Sequence, residues 1–108
     1  MIVNVNLSGF KAKEINIDAD SDNGVVKLND NIISFDANEF INKLQDIVKS
    51  WEPQMVNPRI LDGSWYSVKI QDGISEKIFV GRNKFPANYN SFLELIDGVK
   101  NAPIKKTN

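Results

Sequence analysis

Residues 25–51 read VVKLNDNIISFDANEFINKLQDIVKSW, and within them the spacing of apolar side chains changes from two to between three and four. Up to Phe35 the pattern is that of paired strands. A two-residue turn at Asp30-Asn31 sets Leu28 opposite Ile33 and Val26 opposite Phe35, with all four on one face. Asp and Asn tolerate the positive φ that such a turn needs. From Asp36 onward the period is helical. Asp36 suits an N-cap, Glu39 completes a capping box at the third helical position, and Phe35 and Phe40 occupy the two hydrophobic-staple positions. Phe40, Leu44, Ile47, Val48 and Trp51 fall on one stripe, and Pro53 ends the helix.

Outward from this stretch the same two periods recur. Val3, Val5 and Leu7 alternate with Asn4 and Asn6, and Ile15, Ile17 and Ala19 alternate with Asn16 and Asp18. Both read as half-buried strands joined through a turn at Ser8-Gly9. Downstream, EPQMVNPRILDG (52–63) is an irregular link carrying Pro53 and Pro58. SWYSVKIQ and SEKIFVGR then form a hairpin near Asp72-Gly73. A strict two-residue turn there sets Val68 opposite Lys77. A three-residue loop instead lets Tyr66, Val68 and Ile70 share a face with Ile78 and Val80, and we adopt it, with a bulge at or near Gly73. Trp65, Ser67, Lys69, Lys77 and Phe79 then point to the opposite face. The last element, NYNSFLELIDGV, carries Tyr89, Phe92, Leu93 and Ile96 as its apolar stripe, with Asn88 as N-cap and Gly98 in the left-handed position after it. Four strands, a helix, two strands and a helix make an α+β fold: an antiparallel sheet of about six strands with both helices on one face. Residues 1–100 form a single domain, and the tail 101–108 frays.

Composition narrows the chemistry. The chain has 108 residues, no Cys, no His and a net charge of −1. Ser-His and Cys-His nucleophile pairs are therefore absent, as are the usual zinc ligands. None of the acidic residues sits in an apolar run that would raise its pKa. We expect no enzyme activity and no cofactor. The first residues lack the basic and apolar regions of a signal peptide, and no apolar run approaches the roughly 20 residues of a membrane span. The cytoplasm is the simplest compartment.

Two stretches invite a chemical reading. DADSDNG (18–24) spaces carboxylates like calcium ligands, but Asn23 and Asn29 stand where an EF-hand wants Gly and Glu, so it reads as an acidic hairpin loop closed by Gly24. GRNKFPANYNSF (81–92) lacks the phosphate-binding glycine patterns, and Pro86 removes an N–H. It reads as a corner: Gly81 ends a strand, Phe85 anchors the turn in the core, and Asn88 caps the helix.

Charge is uneven. Residues 14–46 carry eight acidic residues against two lysines, a net of −6, whereas residues 49–108 carry a net of +3. The acidic span is either a solvated face or a docking surface for a cationic partner. The candidate partner-binding residues are Asp18, Asp20, Asp22, Asp30, Asp46 and the outward-facing Trp65. The set Trp65, Lys69, Lys77 and Phe79 also suits base stacking on an open sheet, although recognised RNA-binding signatures are absent and the chain is slightly acidic. A covering 52–63 link would remove either use.

LDGSWYSVKI, a short turn and KIFVGRNKFPANYNSFLELI resemble small bacterial proteins that end in a β-hairpin, a G-x-N-x-[FY]-P corner and an amphipathic helix. Among these are immunity proteins of polymorphic toxin and contact-dependent growth inhibition systems. The pattern spans about residues 61–99 and rests on Trp65, Gly81, Asn83, Phe85, Pro86, Asn88, Tyr89, Phe92 and Leu93. These are residues assigned to folding, so no binding residue carries over. The resemblance implies a stoichiometric inhibitor of one cognate protein toxin in the cytoplasm; a nuclease toxin would offer a basic surface to the acidic span. No membrane partner is expected, and nucleic acid ranks below a protein partner. The competing expectations are a single-stranded nucleic-acid-binding module and a phage-type adaptor.

Overall fold

The computed structural model describes residues 1–9, 14–59 and 63–105. The elements run β1 (Ile2–Ser8), β2 (Ile15–Asp20), β3 (Val25–Leu28), β4 (Asn31–Ile33), α1 (Ala37–Val48), β5 (Gln54–Val56), β6 (Trp65–Asp72), β7 (Ser75–Arg82) and α2 (Tyr89–Lys100). Among the described residues the strands form one mixed sheet of seven, ordered β4-β3-β2-β1-β6-β7-β5. The expected α+β class is present. The expectation of about six antiparallel strands is corrected, because Gln54–Val56 of the supposedly irregular link lie parallel to β7 as an edge strand. Three residues between prolines carry too little alternation to announce a strand.

β1 is central, with Val5 opposite Ile17 of β2 and Val68 of β6. Val3, Val5, Val26, Phe40, Leu44, Tyr66, Val68 and Phe92 are all fully buried in one core. The strand residues among them belong to one sheet face, so α1 and α2 both cover that face. The Asp36 side chain accepts a hydrogen bond from the Glu39 amide at 3.0 Å, and Phe35 meets Phe40 edge-on at 6.2 Å, as cap and staple require. The Glu39 carboxylate turns instead to Lys43, one helical turn on, at 2.8 Å.

Both hairpin registers differ from expectation. The β3–β4 turn is Asn29-Asp30, each with positive φ (47° and 72°), so Val26 faces Ile33 and Leu28 faces Asn31. The shift is two residues, which preserves the faces. In the β6–β7 hairpin Asp72 pairs with Ser75 around a two-residue Gly73-Ile74 turn. Gly73 has φ +61°, as the first central position of a type II′ turn needs. No bulge is required, and Val68 faces Phe79. Phe79 is thus buried in the core, while Ile78 and Val80 project to the other side. Gly81 faces Tyr66, and a Cβ there would overlap the Tyr66 ring.

The C-terminal end departs from expectation in detail. Gly98 lies inside α2, where a Cβ would meet the Phe35 ring only in ordinary contact at 3.7 Å. Asn88 precedes α2 but makes no side-chain capping bond. Its Oδ1 accepts from Trp51 Nε1 at 2.6 Å and its Nδ2 donates to the Ile47 carbonyl at 2.8 Å, tying α2 to the end of α1. Pro103, Ile104 and Lys105 of the tail lie paired along the edge of β4. Ile104 bridges Ile33, the Ser34 amide donates to the Pro103 carbonyl, and the Lys105 amide donates to the Ile32 carbonyl, both at 2.8 Å. The expectation for Lys106–Asn108 lies outside the described residues.

Candidate interaction face

With both helices on one side, the other side of the sheet is bare among the described residues. Strand alternation assigns its side chains. One row across the sheet runs Ile32, Lys27, Asp18, Asn4, Lys69 and Ile78. The next rows bring Ser67 beside Val80 and Gln54, then Trp65 beside Arg82 and Val56. Val56, Ile78 and Val80 are 43%, 47% and 37% exposed. Together with half-buried Trp65 they form an apolar patch on β5, β6 and β7, a feature of the kind that marks contact sites. Sequence reasoning missed the three aliphatic members. The run Ile78-Phe79-Val80 has no alternation to orient it. The usable signal was Gly81, since the position opposite a buried Tyr66 ring must lack a side chain and Phe79 shares that face.

The register places Trp65 outward, as expected, but divides its supposed companions. Phe79 belongs to the core, and Lys77 lies opposite Ile70 on the helix side. Lys69 stays on the open face, 3.7 Å from Glu76. The feared cover by the 52–63 link is not made by residues 54–56, which extend the sheet sideways; residues 60–62 lie outside the described part.

The acidic candidates are also divided. Asp18 is on the open face and accepts a hydrogen bond from Asn4 Nδ2. Asp20 shares that face, but its Oδ1 accepts from the Asp22 amide at 2.9 Å and its Oδ2 from Asn23 Nδ2 at 2.7 Å. Those bonds, the Asn23 side chain first, hold its carboxyl below the usual range. Asp22 sits exposed in the same turn, which Gly24 closes with φ +66°. Asp30 occupies the turn at the other end of β3. Asp46 lies on α1, in the helical layer, paired with Lys49 at 2.7 Å. One flat partner cannot touch all six candidates. Asp18 and Trp65 are compatible: they lie about 13 Å apart along the strands and 10 Å across them, hence roughly 16 Å in all, well within one ordinary interface.

Among the described residues no group of three or more acidic side chains converges as metal ligands would. Burial pushes both phenols up, Tyr66 in direction and Tyr89 to about 12. The Tyr66 ring also packs 5.0 Å from Trp51, which in turn meets Phe92 at 5.2 Å. These tyrosines hold the core at the G-x-N-x-F-P corner. Phe85 is at its margin, stacked 4.5 Å from Tyr89 yet 37% exposed, rather than a buried anchor.

No family model, curated protein or solved structure matches the chain. No helix among the described residues is long and apolar enough to cross a membrane.

Proposed function

We propose that this chain is a non-catalytic binding protein that neutralises a cognate bacterial toxin by seating it on the open face of the sheet. The bare apolar patch of Trp65, Val56, Ile78 and Val80 carries this reading. A half-buried indole with flanking aliphatics and an arginine, Arg82, has the composition of an interface centre. Asp18 and Asp20 at the far side of the face give it an acidic rim that would steer a basic toxin and raise its association rate. The immunity-protein identity of the module rests on the C-terminal resemblance, and the cytoplasm is the compartment where such an inhibitor meets its toxin.

The nucleic-acid alternative loses support from the register. Base stacking on an open sheet draws on more than one aromatic and on free cations. Phe79 and Lys77 are on the helix side, and Asp18, Asp20 and Glu76 share the open face, Glu76 beside Lys69.

Growth rescue tests the proposal. The product of the gene ending immediately upstream should arrest growth when expressed alone, and co-expression of this chain should restore growth. A harmless upstream product, or arrest that this chain leaves unchanged, removes the immunity reading.

A further inference from the structure

The acidic side of the open face is concave. A groove of about 470 Å³ runs there between aliphatic Ile2, Val25 and Ile32 and charged Asp18, Asp20 and Lys27. Ile2 is exposed, and Val25 and Ile32 are half-buried. Its carboxylates are not equal. Both Asp20 oxygens are engaged by the β2–β3 turn. Asp18 gives only Oδ1 to Asn4. Lys27 stands across from Asp18 in the register and forms no ion pair with it.

We propose that this groove receives one arginine side chain from the protein partner, its methylenes against Ile2, Val25 and Ile32 and its guanidinium on Asp18. This rests on the reading of the open face as the toxin-binding surface. Three aliphatic walls suit the stem of a long cation, which buries its carbons while its head stays polar. A guanidinium is planar, weakly hydrated and matched to a carboxylate. Lys27 is the built-in competitor, because its ammonium can swing onto the same carboxylate when the groove is empty.

The test needs no toxin. The full chain, labelled with nitrogen-15, is titrated with Nα-acetyl-arginine methylamide and, separately, with the neutral citrulline analogue. Saturable amide shifts are expected from the arginine probe at residues 2, 18–20, 25–27 and 32, with none from citrulline. Asp18→Asn, which keeps the side-chain shape, should weaken the probe about three- to fivefold, the size of a partly exposed charge pair. Lys27→Gln should tighten it. Equal shifts from citrulline, shifts spread over all carboxylates, or indifference to both substitutions overturns the groove. That failure leaves the toxin reading standing, since growth rescue tests it independently. Failed rescue with intact arginine binding removes the toxin and leaves the groove.

Discussion

Tyr66 shows how a single residue sets the corner. Its ring is fully buried, it needs Gly81 opposite, and its hydroxyl has no hydrogen-bond partner among the described residues. An unpaired buried hydroxyl is costly, so Tyr66→Phe should leave the melting midpoint unchanged or raise it, whereas Gly81→Ala should lower it sharply. A clear loss with Tyr66→Phe would mean that the hydroxyl has a partner. Asn88 works differently from the cap its position suggests. It holds Trp51 and the Ile47 carbonyl, so Asn88→Ala leaves a buried donor and acceptor unmatched and should cost about 1–3 kcal/mol; Asn88→Asp, which keeps one acceptor but loses the donor, should recover only part. A cap would instead be recovered fully by Asp. Phe92→Ala should cost about 3–5 kcal/mol as a buried aromatic, and Phe85→Ala, at the margin, about 1–2 kcal/mol. Denaturant midpoints rank all six. The sequence showed which residues were structural here, but not what each one touches. Asn before a helix is common to a cap and to a tie between helices, and only the position of Trp51 separates them.

At the scale of elements, alternation and helical spacing were legible wherever one face is buried. The strands at Val3–Leu7 and Ile15–Ala19 and the helix after Asp36 stand where the pattern put them. The pattern failed at three consecutive apolar residues, Ile78-Phe79-Val80, and at a three-residue edge strand, where it has nothing to count. It also missed the tail, whose pairing is made by backbone groups. Hydrogen exchange checks that pairing directly. The amides of Ser34 and Lys105 should exchange more slowly than those of neighbouring exposed residues, and removing residues 103–108 should release Ser34. Free exchange at Lys105 in the full chain would return the tail to a frayed end. Because the tail covers the outer edge of β4, its loss should also raise self-association, as an uncovered edge invites pairing.

Taken whole, the molecule has a closed side and an open side, and both make tests. On the closed side the two tyrosines are the only ones in the chain, and both have raised pKa values; Tyr89 moves to about 12 by burial first and by Tyr66 second. A phenol whose pKa is higher folded than unfolded stabilises the fold fully below the unfolded value of 10.0 and loses that contribution as pH rises toward 12. Stability should therefore fall between pH 10 and 12, with tyrosinate absorbance and loss of structure rising together. Tyrosinate formation midway at pH 10 in a folded chain would contradict that burial. On the open side the decisive comparison is the dissociation constant for the product of the gene immediately upstream, the proposed partner, measured for four single variants. Trp65→Ala and Val80→Asp alter the open face, and Asp46→Lys and Lys100→Glu alter the helical layer. The expected result is that each open-face change weakens binding by about tenfold or more, as loss of an interface anchor does, while the helical-layer changes leave it within about threefold, as exposed rim charges do. Binding lost through Asp46→Lys or Lys100→Glu and kept through Trp65→Ala and Val80→Asp would place the partner on the helices and contradict the open-face assignment.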